Sequence, residues 1–236
     1  MMLRRALFLT LALSLLSLVA GADNATLFKV RIENVSTATT LKSSTGQTTG
    51  AGLSPGLFIL FKGKSNDLFV AGHPDHGKGL ERLAEDGNPG PVLESERNEK
   101  GVISVQVFNT PVGMTNPGPI GPGGAYEFTF TAKEGTKLTL AQMFGQSNDL
   151  FYAPDSKGID LFDKNGSPIS GDITSQIRLW DAGTEVNQEP GFGSDQAPRQ
   201  HAPNTGAEEH NAIGAVNDGF TYPSVDQVLK VTITHE

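Results

Sequence analysis

Two acidic side chains follow the only tryptophan of the chain closely enough to share one ligand. Asp181 and Glu185 come after Trp180, on either side of Gly183. Glycine permits a sharp bend where a strand passes into a loop, so both carboxylates can turn toward one point. Two anions held together repel each other unless a cation lies between them, and Ca²⁺ binds roughly six to eight oxygen ligands. The spacing therefore predicts a calcium site at this turn.

A calcium site requires further oxygen ligands, and Asp149 is the best candidate for a third carboxylate. It follows the alternating segment that ends at Met143 and precedes a short apolar step, which places it on a second loop. Carboxylates from two loops at one end of a sandwich, with backbone carbonyls and water, form an oxygen-rich site. An alternative stays open, in which Asp181 only turns the backbone while Glu185 and Asp149 are solvated.

The elements that must position these residues are mostly strands. Apolar and polar residues alternate with the period of a half-buried strand in segments 28–33, 126–130, 138–142 and 229–233. Further strand candidates, bounded by turn-forming residues, are 56–61, 101–108 and 176–180.

These strands predict an all-β protein, an antiparallel β-sandwich with one short helix and long loops. The helix is expected at 79–87, where apolar residues follow i, i+3, i+4 spacing. The loops are expected at 109–124 and 187–214, which carry no sustained periodicity.

The first residues have the pattern of a secretory signal peptide. Arg4 and Arg5 precede an apolar run, and small residues end the segment 1–22. The run of about 14 apolar residues is shorter than the roughly 20 that a bilayer-spanning helix needs. We therefore expect an exported protein, periplasmic or secreted, with one domain over 23–236 and no stable membrane insertion after cleavage.

Charge and cysteine content limit the partners and the means of stabilisation. The formal net charge is −8, and removal of Arg4 and Arg5 takes it to −10 (−8 − 2), which argues against nucleic acid as a partner. The chain has no cysteine, so an exported form gains nothing from disulfides and relies on its core, helped by any bound ion.

The string WDAGTE at 180–185 resembles the signature of the spondin N-terminal domain family, the family of F-spondin and mindin, which includes single-domain exported proteins of bacteria. The resemblance extends to GLERLAEDG at 79–87, SNDLF at 147–151 and the closing strand VLKVTITHE at 228–236. In order, these segments cover nearly the whole chain after the leader.

The resemblance implies a sandwich like that of C2 domains, with Ca²⁺ held by loop carboxylates at one end. The acids of the family motif fall on Asp149, Asp181 and Glu185. It also implies a non-enzymatic binding or adhesion function toward an extracellular protein or glycan. The animal proteins have aspartate where this chain has Glu185, and tryptophan where it has Leu150.

Other residues allow two alternative functions. His73 and His76 stand three apart in HPDH, and the loop 187–214 contains His201 and His210. Converging histidines suit zinc or copper, so the first alternative is a metal-assisted hydrolase that uses His73, His76 or this loop. The second is a structural envelope protein without metal. The chain has no cysteine, so a cysteine nucleophile is excluded.

SNDLF occurs twice, at 65–69 and at 147–151. Coincidence or a shared turn at the entry to a strand accounts for the repetition, and a paired site or an ancient duplication is the alternative.

Overall fold

The structure is a computed structural model that describes residues 25–236. The predicted signal peptide, 1–22, lies outside the described residues. The strands are β1 (Thr26–Asn34), β2 (Leu41–Lys42), β3 (Thr48–Thr49), β4 (Leu53–Phe61), β5 (Val102–Phe108), β6 (Ala125–Ala132), β7 (Lys137–Phe144), β8 (Leu150–Ala153), β9 (Ile159–Asp160), β10 (Gly171–Asp172), β11 (Arg178–Asp181), β12 (Gly214–Ala215) and β13 (Leu229–His235). The helices are α1 (Leu80–Asp86), α2 (Gly90–Glu96) and α3 (Val225–Val228), with a 3₁₀ turn at Thr174–Gln176.

Two antiparallel sheets face each other across one core. The smaller sheet has the order β10-β13-β1-β6, and the larger has the order β12-β11-β8-β7-β4-β5, with β9 beside β7. Val30 of β1 lies between Ile233 of β13 and Phe128 of β6, so the first and last long strands are central neighbours. The predicted antiparallel β-sandwich is confirmed.

Alternating side chains from both sheets fill the space between them. Phe28 and Val30 of β1 are fully buried, and Phe58 of β4 stacks on Phe128 of β6 with ring centroids 4.4 Å apart. Full burial of one large apolar side chain contributes about 1.5–3 kcal/mol. This core fixes the ends of the strands, and the strand ends in turn position the loops.

β4 is buried on both faces, which accounts for its unbroken apolar sequence. Leu57, Ile59 and Phe61 belong to a second apolar cluster, which also contains Leu83 of α1 and Val92 of α2. Phe58 and Leu60, on the opposite face, belong to the core between the sheets. A strand covered on both faces shows a continuous apolar run instead of alternation.

The prediction of one short helix is wrong in number, because the described residues contain three. The helix expected at 79–87 is confirmed as α1, and Gly87 ends it in the left-handed conformation with φ 64°. α2 begins at Gly90 and Pro91, which signal a turn in the sequence, but proline is well tolerated in the first turn of a helix. α3 is a single turn stabilised by a capping box between Ser224 and Gln227.

Most of the predicted strands appear where the sequence places them. The four alternating segments lie within β1, β6, β7 and β13, and the candidates 56–61 and 101–108 coincide with β4 and β5. The candidate at 176–180 starts later than predicted, because a 3₁₀ turn occupies Thr174–Gln176 and β11 begins at Arg178. Within residues 25–236, no helix has the length and apolar character needed to cross a membrane.

Candidate metal centre

Asp149 and Asp181 lie at the same edge of the larger sheet. Asp149 directly precedes β8, and Asp181 is the last residue of β11. The two strands pair antiparallel with Asp181 opposite Leu150, so the start of β8 meets the end of β11. Strand pairing therefore brings the two carboxylates together.

Asp149 is completely buried, and its two carboxylate oxygens differ in their contacts. Oδ2 accepts hydrogen bonds from the N–H of Thr184 at 2.8 Å and the N–H of Glu185 at 3.1 Å, and it lies 3.3 Å from the hydroxyl oxygen of Thr184. Oδ1 is buried and accepts no hydrogen bond from the described residues. A buried polar atom without a partner costs about 1–3 kcal/mol, and more when it is charged.

Glu209 completes a group of three carboxylates, named here the acidic triad (Asp149, Asp181 and Glu209). One carboxylate oxygen from each residue lies within 4.8 Å of the others, and the group could hold a metal ion. Asp181 is fixed from both sides, since its Oδ1 accepts from the N–H of Gly183 and its Oδ2 from Nδ2 of Asn187, each at 2.8 Å.

The loop after β11 turns back on itself and carries Glu209 to this edge. The N–H of Glu209 donates to the carbonyl of Thr184 at 2.9 Å, and the N–H of Asn211 donates to the carbonyl of Gly183 at 2.8 Å. An isolated antiparallel bridge joins Glu185 to Glu208. The two arms of the loop therefore run side by side, with Glu209 next to the ends of β8 and β11.

Glu185, the third ligand predicted from the sequence, does not join the acidic triad. Its backbone N–H donates to Asp149, but its carboxylate lies against Gly206, where any added side chain would collide with it. The cause is the hydrogen bonding of Asp149, which turns the backbone amides of Thr184 and Glu185 toward the site. The structure thus brings Asp149 and Asp181 together and places Glu209 in the third position.

Burial opposes ionisation of the acidic triad. Desolvation raises the pKa of Asp149 to about 7, and the nearby charge of Asp181 adds to the increase. Burial also raises the pKa of Asp181 and of Glu209, and the charge of Asp218 acts on both in the same direction. A bound cation favours the charged forms and would lower all three pKa values.

A second acidic pair lies beside the triad. Burial raises the pKa of Glu185 to about 8, with the charge of Glu85 as the next cause, and burial raises the pKa of Glu85 to about 7. The hydroxyl of Thr184 donates to Oε1 of Glu85 at 2.8 Å, so Thr184 lies between this pair and Asp149.

The first part of the loop 187–214 is packed around a buried glutamine. Gln196 is fully buried, and its Nε2 donates to the carbonyls of Gln188 at 3.3 Å and Glu189 at 2.9 Å. Its Oε1 accepts from the N–H of Gly191 at 3.0 Å. Because the N–H of Gln188 also donates to Oδ1 of Asn148 at 2.9 Å, this loop is joined to the residue before Asp149.

Gly183 makes the turn between the two carboxylate positions possible, and we expect Gly183→Ala to destabilise the fold. Its φ is 68°, and a Cβ there would lie 2.7 Å from the carbonyl oxygen of Asn211. Left-handed strain alone costs about 1–3 kcal/mol, and the collision adds to it. Gly46→Ala is the matched control, since Gly46 has φ 87° and open space around it. Chemical denaturation should show the larger loss for Gly183→Ala, and equal losses would contradict the tight turn.

The two SNDLF segments occupy different environments. In the first, Asp67 is exposed, whereas in the second Asp149 is buried in the triad. Their phenylalanines meet, because Phe69 and Phe151 form an edge-to-face pair with centroids 5.2 Å apart. Asn66 and Asn148 both use Oδ1 to accept a backbone N–H, from Leu68 and Gln188 respectively.

The histidines of the hydrolase alternative are exposed. His73 and His76 lie on the surface, as do His201 and His210. Among residues 25–236, the metal-compatible group is made of carboxylates and includes none of them. The alternative stays a prediction, without a converging histidine site in the described residues.

Fold and site together define an all-β sandwich protein with a buried acidic group at one sheet edge that could hold a metal ion. In comparisons with known proteins, no family model matches the chain and no curated protein matches its sequence.

Proposed function

We propose that this protein is an exported, calcium-binding and non-enzymatic binding domain, in which the ion joins the loops at one end of the sandwich. One observation carries the proposal: the acidic triad places three carboxylate oxygens within 4.8 Å of one another, and the fully buried Asp149 keeps one oxygen without a hydrogen-bond donor from the described residues.

The residues of the site fit a hard cation. All three ligand atoms that the triad offers are carboxylate oxygens, which hard cations prefer. Soft metals favour thiolate or imidazole ligands instead. Asn187 lies beside Asp181, and its Oδ1 is also buried without a donor from the described residues. An amide oxygen is a further ligand that Ca²⁺ accepts. Ca²⁺ also tolerates irregular coordination geometry better than Mg²⁺ does, which favours Ca²⁺ at this site.

Calcium would act on the arrangement of the loops. Asp149 precedes β8, Asp181 ends β11, and Glu209 lies on the returning arm of the following loop. An ion bound to all three carboxylates would crosslink two strands and one loop. It would also relieve the repulsion between the three negative charges. The surface presented to a partner, an extracellular protein or glycan, would then depend on calcium.

The resemblance of WDAGTE and the accompanying segments to the spondin N-terminal domain family supports both calcium and a binding function. The leader pattern at 1–22 supports export to the periplasm or the medium. Extracellular calcium modules bind with dissociation constants of roughly 10⁻⁴ to 10⁻³ M, which sets the expected range.

Asp181→Asn tests this function through thermal stability. Asparagine keeps the size of the side chain and can accept the N–H of Gly183, but it removes one charge from the triad. Calcium at about 100 times its dissociation constant should raise the Tm of the wild type by about 5–10 °C. We expect the variant to lose most of this rise and to match the wild type in chelator. Equal losses of Tm in calcium and in chelator would remove the metal explanation.

A further inference from the structure

A surface turn between β9 and β10 carries an asparagine followed by a glycine, and residues 163–167 are named here the asparagine turn. Its sequence is DKNGS, and Asn165 is the only asparagine of the chain that precedes a glycine. Asp163, Lys164, Asn165 and Ser167 are exposed to solvent. A glycine in the next position matters chemically, because no Cβ obstructs the approach of its backbone nitrogen to the asparagine side chain.

The asparagine turn is held by hydrogen bonds that run through Asp163. The N–H of Gly166 donates to the carbonyl of Asp163 at 3.0 Å, and the N–H of Asp163 donates to the carbonyl of Ser167 at 2.8 Å. Oδ1 of Asp163 accepts the N–H of Asn165 at 2.8 Å and the N–H of Ser167 at 2.9 Å. The backbone hydrogen bonds from Ser167 and Asn165, with a contact from the Asn165 side chain, lower the pKa of Asp163. Asp163 is therefore charged at neutral pH.

A second acid lies on the other side of the asparagine turn. The carboxylate of Glu134 lies against Gly166, 3.3 Å from the position that a Cβ would occupy there. A negative charge gained at residue 165 would thus be the third at this turn. Like charges at close range repel one another, so such a change would weaken the turn in which it takes place.

We propose that Asn165 is a site of spontaneous deamidation in the folded protein. The deprotonated backbone nitrogen of Gly166 attacks Cγ of Asn165, a C–N bond forms, and the side-chain nitrogen takes up a proton and leaves as ammonia. Water then adds to one of the two carbonyl carbons of the five-membered imide and breaks its bond to the ring nitrogen. The products are aspartate and isoaspartate, and each carries one new negative charge. Water is the only co-reactant.

Opening of the asparagine turn controls the reaction. The nitrogen of Gly166 must release its hydrogen bond to the carbonyl of Asp163 before it can reach Cγ of Asn165. Exposed turns open at a small fraction of the free energy of global unfolding, so the folded protein reaches this state. The turn lies near the start of β7, where Lys137 pairs with Asp160, and the acidic triad lies at the other end of that strand. The inference therefore does not rest on calcium binding.

Ion-exchange chromatography measures the reaction, since each event adds one negative charge to the protein. The purified protein is incubated in mildly alkaline buffer, and the acidic species are assigned by mass mapping of peptides produced with pepsin at acidic pH. We expect the acidic species to accumulate at Asn165, and Asn165→Gln to remove most of them. Acidic species located mainly at other asparagines, or an unchanged amount in Asn165→Gln, would overturn the proposal.

Asp163→Ala tests the control that the turn exerts. It removes the two hydrogen bonds that Oδ1 accepts, so the rate at Asn165 should rise about fivefold or more. Asp155→Ala is the matched control, because Asp155 begins a turn of the same form. Its Oδ1 accepts the N–H of Lys157 and its carbonyl accepts the N–H of Gly158, each at 2.9 Å. This control should react as the wild type does, and equal rates in the two variants would contradict control by turn opening.

The denatured protein provides the reference rate. In denaturant the nitrogen of Gly166 has no hydrogen bond to release, so Asn165 should react several-fold faster than in the folded protein. Equal rates in the two states would contradict the restraint by Asp163. A folded protein that stays unmodified at Asn165 while the denatured protein reacts would overturn the proposal itself.

Discussion

Asp149→Asn is expected to abolish the calcium-dependent rise in Tm and to leave the metal-free protein at least as stable as the wild type. Asp149 is the most deeply buried acid of the triad, and its Oδ1 has no donor from the described residues. Asparagine can still accept the N–H groups of Thr184 and Glu185 through Oδ1, while its Nδ2 turns toward the neighbouring carboxylates. Loss of a buried charge at a metal centre should weaken calcium binding by about a hundredfold.

The control for this substitution is Asp67→Asn, at the same position of the other SNDLF segment. Asp67 is exposed, so its replacement should leave both the calcium response and the stability close to those of the wild type. Thermal unfolding of the three proteins in calcium and in chelator measures the difference. A calcium response that survives in Asp149→Asn would contradict the role of this residue as a ligand.

The second large effect is a change in the pH dependence of stability when calcium is removed. Burial raises the pKa of Asp149 to about 7 in the folded, metal-free protein, well above the ordinary value for aspartate. The folded state therefore holds a proton that the unfolded state releases at lower pH. This contribution to stability is complete below the unfolded pKa and is lost as the pH rises through about 7. At about 1.4 kcal/mol per pKa unit, the loss from this residue amounts to a few kcal/mol.

We therefore expect the Tm of the chelated protein to fall between about pH 5 and pH 8, and saturating calcium to suppress most of the fall. Calcium binds the charged carboxylates, so its affinity rises over the same range. The raised pKa of Glu185, about 8, adds to the fall of Tm with pH. Asp149→Asn should remove the part of this fall that comes from Asp149. If the Tm of the chelated protein stayed constant or rose over this range, the result would contradict the claim that burial raises the pKa of these acids in the metal-free protein.

Much of the fold follows from local patterns that the sequence displays. Alternation at 28–33 and 229–233 marks β1 and β13 because each strand has one face in the core. The unbroken apolar run at 56–61 marks a strand covered on both faces, by the smaller sheet and by α1 and α2. The sequence does not predict α2, because Gly90 and Pro91 are typical of a turn. The helix is evident only from the structure, where Val92 packs against the larger sheet.

The candidate site shows where such inference ends. Asp149 and Asp181 each border a short apolar segment, and the sequence predicts both as site residues, but their proximity depends on the pairing of β8 with β11. Glu209 lies in a segment with no periodicity, and it reaches the site through hydrogen bonds of Thr184 and Gly183 to the returning arm. No local pattern encodes that long-range return, so the sequence offers no signal for Glu209 beyond its being acidic.

The prediction of Glu185 illustrates a further limit. Its distance from Asp181 in the chain suits a shared ligand, yet the left-handed turn at Gly183 presents the amide of Glu185 to Asp149 and directs its side chain toward Gly206. Sequence spacing fixes which residues can reach a point, whereas the backbone conformation decides whether the amide or the carboxylate does so.

Calorimetric titration of the purified protein with Ca²⁺, compared among the wild type, Glu209→Gln and Glu185→Gln, tests the acidic triad most directly. We predict one ion per chain for the wild type, a large loss of affinity for Glu209→Gln and near wild-type binding for Glu185→Gln. Absence of calcium binding by the wild type, or loss of binding in Glu185→Gln alone, would contradict a calcium centre built on Asp149, Asp181 and Glu209.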